Sequence, residues 1–153
     1  MRNARTIGLA VAVAVVATTG LAMAHSNASG VVKQRMDAMK DIAEQMKTIG
    51  LMIRGQNAFD AAAAADAADT VAQHAATIPS LFPEGSLDSP TEALPAIWAD
   101  WDQFNKNAAD LQSAAADLSS SAAGAAEAAD IRTQFAVVGA TCSSCHEDFR
   151  KAE

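Results

Sequence analysis

The chain has 153 residues, half of them hydrophobic, with 18 acidic against 11 basic side chains and a formal net charge of −7. That length suits one domain, and the acidic balance excludes a nucleic-acid binder, which needs a basic footprint. Alanine, the best helix former, is abundant, aromatics make up 5% of residues, and tyrosine is absent, so an all-α fold is expected.

The amino terminus reads as a secretory signal peptide over residues 1–24. Arg2 and Arg5 form a basic start, Ile7 to Thr19 is apolar, and Ala22-Met23-Ala24 is an A-x-A cleavage site. A membrane anchor is the other reading, but the apolar run is short and ends at Thr18-Thr19-Gly20. Cleavage after Ala24 leaves residues 25–153 as the mature domain, exported to the periplasm, with no membrane span. Arg2 and Arg5 are two of the 11 basic residues, so 9 remain against 18 acidic ones and the charge moves from −7 to −9. This permits a basic redox partner without naming one.

A first helix is expected from about Val31 to Arg54. Its inward seam is Val32, Arg35 or Met36, Met39, Ile42 or Ala43, Met46, Ile49 and Ile53, in steps of three and four. Leu51 and Met52 fall off that seam and are candidates for a subunit contact or for scattered exposure. Gly55 is placed as a helix C′ residue. A second, alanine-rich helix runs from about Ala58 to Thr77, with Phe59, Ala63, Ala67, Val71, His74 and Ile78 inward. Its small residues allow close helix approach.

Ser80 to Pro95 is a long connection, and with Pro79 it holds every proline of the chain. Such a loop can cross the end of a bundle or carry function. Ser89-Pro90-Thr91-Glu92 has the pattern of a helix start, with Ser89 as N-cap and Pro90 at N1. A third helix is expected from about Ala96 to Leu118, with Trp98, Trp101, Phe104 or Asn105, Ala108, Leu111, Ala115 and Leu118 inward. Ser119 to Gly124 is the next break. A fourth runs from about Ala125 to Lys151, on the seam Ile131, Phe135, Val138, Cys142, Cys145 and Phe149. Together these predict an antiparallel up-down-up-down four-helix bundle.

The last helix carries Cys142-Ser143-Ser144-Cys145-His146, the C-x-x-C-H attachment signature of a c-type haem. Two thiols three apart on a helix share a face and can reach the two vinyl groups of one porphyrin. The adjacent histidine can turn its imidazole onto the iron. Cys142 and Cys145 are thus thioether anchors for one haem c, and His146 is the axial iron ligand. A disulfide and a thioredoxin-like dithiol share the bare C-x-x-C, but not the histidine. Both cysteines fall on the hydrophobic seam, which puts the porphyrin inside the bundle near the end of the last helix.

What lies opposite His146 sets function: an open distal site binds gases, whereas a strong sixth ligand makes an electron carrier. Met36, Met39, Met46, Met52 and His74 are the candidates. Arg35 on the seam is costly unless paired, and a haem propionate suits a guanidinium; the other reading is a snorkelling surface residue. Met39, one turn later, would then point over the porphyrin as sixth ligand, as lining of the distal pocket, or as plain core. His74 reads first as a helix-face histidine. Arg150 is expected near the imidazole or a propionate, or exposed at the helix C-terminus. Trp98, Phe59 and Phe149 are core aromatics, with Trp98 and Phe149 able to touch the haem edge.

These residues resemble the cytochrome c′ and cytochrome c-556 family. The resemblance rests on Arg35-x-x-x-Met39, Gly55-Gln56-x-x-Phe59-Asp60, Leu81-Phe82-Pro83, Ile97-Trp98 and the ending Cys142 to Arg150, and it spans the mature chain. It implies a periplasmic haem protein with His146 as the only protein ligand. It also implies Met39 at the distal position, Arg35 on a propionate, Met36 beside it and Arg150 near the proximal histidine. It further implies binding of nitric oxide or carbon monoxide and a homodimer through the first two helices. Cytochrome c-556 implies instead a low-spin electron carrier with His146 and Met39 ligation, and the Leu81-Phe82-Pro83 connection suits it equally. An enzyme, as a peroxidase or a dithiol oxidoreductase, is the rival class. The sequence offers no distal acid–base pair for the first, since His25 lies in the tail and His74 is poorly placed.

Overall fold

A computed structural model describes residues 28–152; the expected signal peptide and its cleavage site lie outside the described residues. Four long helices form the bundle: α1 (Gly30–Ile53), α2 (Ala61–Thr77), α4 (Trp101–Ala123) and α5 (Arg132–Phe149), with a short α3 (Ala96–Ala99) leading into α4. One 3-10 turn, Ile78–Leu81, extends α2, and another, Ala128–Ile131, precedes α5. Among the described residues there is no strand beyond one isolated bridge, Ala93 to Arg150.

The alanine seam of α2 lets it pack closely on α4. Ala64, Ala68, Ala75 and Ala115 are fully enclosed between them, with Val71 and Leu118. Helix ends follow local chemistry. Gly55 adopts φ +70, its N–H donates to Met52 O, and Gln56 N–H donates to Leu51 O, which closes α1 as a Schellman motif. Asp60 caps α2 by accepting from Ala63 N at 2.9 Å, so α2 starts three residues later than its alanine pattern suggests.

Several expectations need correction. Ser89-Pro90 starts no helix: the two residues form a bend, and the chain after them is tied to the end of α5, where Leu94 N donates to Phe149 O and Lys151 N donates to Glu92 O. The expected third helix is broken at Asp100, whose side chain accepts from Gln103 N and opens α4 afresh. Ser119 to Ser121 remain helical, and α4 ends only at Gly124. Met52 is buried in its own core, since the end of α1 is flanked by α2 on one side and by α5 and its preceding turn on the other. Gly50 assists there: a Cβ would sit 3.4 Å from the Phe135 ring.

Candidate haem site

α1 and α5 pass one another at the end of the bundle with little direct contact, and a cavity of about 790 Å³ lies between them. Met36, Met39 and Ala43 of α1 form one wall; Cys145, His146 and Phe149 of α5 form the facing one. Ile78, Phe82, Ile97 and Phe104 supply an apolar floor, and Pro90 to Ala93 close the rim. The floor is a chain of rings. Phe104 stands edge-on to Phe82 at 4.9 Å and to Phe149 at 5.4 Å, a favoured aromatic geometry.

Arg35 also lines this cavity and is 3% exposed, so the snorkelling reading is overturned. Its guanidinium donates to Ser86 Oγ at 3.2 Å, to Thr91 Oγ1 at 3.0 Å and to the Ser86 carbonyl. It also rests 4.8 Å above the Phe82 ring. Burial pulls its pKa down, against the raising effect of Asp88, but a guanidinium stays charged regardless. Three of its five N–H donors are engaged with the loop, and the cationic group faces the cavity.

On the opposite wall His146 is exposed toward solvent. The part of its ring that lies against the cavity wall is desolvated, which lowers its pKa; the nearby Arg150 cation lowers it further, and Glu92 opposes both. The shift favours the neutral imidazole, the form that donates a lone pair to a metal. Arg150 is half-buried and pairs with Glu92, Nε to Oε2 at 2.7 Å. It lines the same cavity as His146, in a partnership with Glu92 that the sequence did not signal. Cys142 and Cys145 are half-buried and packed against the core; burial pushes both thiol pKa values up. Cys145 is on the cavity wall, and Cys142 lies one turn earlier, outside the lining.

Met46, Met52 and His74 do not line the cavity. His74 Nε2 instead bonds Asp41 Oδ2 at 2.7 Å, across the α1–α2 seam. Trp98 Nε1 donates to Phe82 O at 3.0 Å and holds the loop to α3. Ser86 escaped sequence reasoning, and Thr91 and Glu92 entered it only as part of an expected helix start. Their signal was only the length and proline content of the loop that carries them.

The family model described as cytochrome c′ matches residues 30–150. This chain belongs to the cytochrome c′ family. Cytochrome c-556 of Agrobacterium fabrum is 35% identical over 127 residues, covering 80% of this chain and 82% of that protein. The solved structure of cytochrome c′ from Rhodopseudomonas palustris superposes with a TM-score of 0.75 at 31% identity, covering 82% of this chain and 99% of that one. A nitric oxide complex of a mutant cytochrome c′ from Alcaligenes xylosoxidans superposes with a TM-score of 0.71 at 27% identity, covering 80% and 94%. As a cytochrome c′ family member, the chain is a c-type haem protein with one covalently attached haem c. The donor set fits that group: two thiols at i and i+3 on one face, a neutral imidazole beside them, an apolar cavity and two flanking cations.

Proposed function

We propose that this protein works in the periplasm as a haem protein of the cytochrome c′ type, binding nitric oxide or carbon monoxide on the α1 side of its haem. Residues 1–24 are its cleaved signal peptide. Export is supported by that amino-terminal pattern and by the extracytoplasmic setting of c-type haem attachment. No helix among the described residues is long and apolar enough to cross a membrane.

The observation that carries the reading is the pairing of walls. Met39 of α1 stands across one cavity from Cys145 and His146 of α5. Cys142 and Cys145 would anchor the haem as thioethers, and His146 would supply a nitrogen to its iron. When bound, the haem iron supplies a site for a diatomic ligand and for one electron. Met39, Ala43, Ile78 and Phe82 exclude water from the distal side. Arg35, already neutralising no carboxylate in its loop bonds to Ser86 and Thr91, offers its charge to a propionate. Met36 packs beside it, and Arg150 sets a positive field by the proximal imidazole. The outer faces of α1 and α2 pair two copies as a homodimer, which sedimentation of the holoprotein tests.

The absorption spectrum of the ferrous protein, with and without carbon monoxide, tests the central claim. The expected result is a high-spin spectrum that shifts on adding the gas, with Met39→Ala raising carbon monoxide affinity roughly tenfold, about 1.4 kcal/mol. A low-spin spectrum insensitive to the gas, with a methionine charge-transfer band in the ferric form that Met39→Ala abolishes, would establish His146/Met39 ligation instead.

A further inference from the structure

The buried face of α4 contains one polar residue. Asn107 is 6% exposed and sits between Phe104 and Leu111 on the core side. Its Oδ1 accepts from Gln103 Nε2 at 2.7 Å, one turn earlier. Its Nδ2 is sealed from solvent and, alone among buried side-chain nitrogens and oxygens of the described residues, has no hydrogen-bond partner. A sealed amide donor left unpaired is costly, and native structures keep few of them.

Asn107 faces α5 at the haem-attachment turn. It lines a surface groove together with Thr141 and Ser144, the residues just before Cys142 and Cys145. Phe104, one turn before it, lines the haem cavity with Cys145. Cys145 packs from α5 against the same core that encloses Asn107.

We propose that Asn107 is a positioning residue for the second haem thioether: its Nδ2–H donates to the Cys145 sulfur once that sulfur carries the porphyrin. This rests on the assignment of Cys145 as an anchor. The chemistry of sulfur selects the arrangement. A free thiol can donate or accept, whereas a thioether has no hydrogen and only accepts. If the Gln103 and Asn107 amides both turned over, an oxygen would face the sulfur, which suits a thiol and repels a thioether. The observed orientation, with Oδ1 held by Gln103, presents the donor. Attachment thus gives the orphan N–H its acceptor and fixes the Cys145 side of the porphyrin to α4. A donor on that sulfur also draws electron density from the porphyrin edge and favours the reduced state, a tuning role open to hydrogen bonds around a haem.

The test uses holoprotein whose intact mass confirms one covalent haem. In the unaltered protein the thioether C–S stretch, read by resonance Raman, shifts between H2O and D2O. In Asn107→Leu that isotope shift is lost and the reduction potential falls. In the isosteric Asn107→Asp the shift is also lost and the potential falls further. A C–S stretch indifferent to D2O in the unaltered protein overturns the proposal, and so does an unchanged potential in either variant. Should Asn107→Leu fail to fold, the unaltered protein and Asn107→Asp decide. A chain whose intact mass shows no covalent haem overturns the attachment itself, a result distinguishable from an insensitive stretch on a loaded chain.

Discussion

Arg35 shows how much one side chain can organise. A charge buried on a helix seam is expensive, and its cost is met by three hydrogen bonds and an aromatic face, all supplied by the connection between the second and third long helices. Sequence alone marks the residue as anomalous without revealing these partners. Replacing it as Arg35→Leu strands the Ser86 carbonyl and the Thr91 hydroxyl, so unfolding by urea should show a loss of about 1–3 kcal/mol. Amide exchange at Leu94 and Lys151, whose N–H groups bond within the tethered rim, should accelerate in the same variant.

Between elements, the α1–α2 seam carries one polar clasp. Asp41 accepts from Gln45 Nε2 at 2.8 Å and meets His74 Nε2 at 2.7 Å. The Gln45 bond, followed by that from His74, holds the carboxyl below its ordinary pKa. A carboxyl depressed in the folded state contributes stability above its unfolded pKa, about 3.9, and that contribution disappears as pH falls through the lower folded value. Thermal unfolding of the unaltered protein should therefore weaken more steeply below about pH 4 than that of Asp41→Asn. Identical acid limbs for the two proteins would show that the clasp is energetically silent. The same seam settles His74: a sequence position on an apolar stripe becomes, in three dimensions, the partner of an acid and not an iron ligand.

For the molecule as a whole, the cavity end of the bundle is closed by a loop and not by helix packing. Thr91 reaches Arg35 of α1, while Glu92, Ala93 and Leu94 pair with Arg150, Lys151 and Phe149 at the end of α5. The loop therefore joins the distal wall to the proximal one. The chain as a whole is acidic, with a formal net charge of −7. Reduction of the haem by a cationic small-molecule reductant should slow as ionic strength rises past about 0.1 M, where the Debye length is near 10 Å. A rate that is flat or rises with salt would show that the local field at the haem edge is not negative.

The haem motif, the four apolar seams and the glycine stop at Gly55 were legible because each is a local pattern. Spacings of three and four report which side chains share a face, and C-x-x-C-H states its chemistry within one turn. The break at Asp100 was hidden because an acidic residue continues a helix or caps a new one with the same composition. The loop contacts were hidden for a different reason: Arg35 meets Ser86 across 51 residues and Thr91 across 56, and Arg150 meets Glu92 across 58. The buried amide of Asn107 was equally silent, since asparagine in an alanine-rich helix reads as solvent-facing. By itself, then, the sequence determined the all-α class and the cofactor, and it singled out Cys142, Cys145 and His146 as the residues proposed to hold it. Only the tertiary structure decided which methionines reach the cavity, what holds Arg35 and where Asn107 points. Those answers depend on how helices rotate against one another, and periodicity along one chain does not encode that rotation.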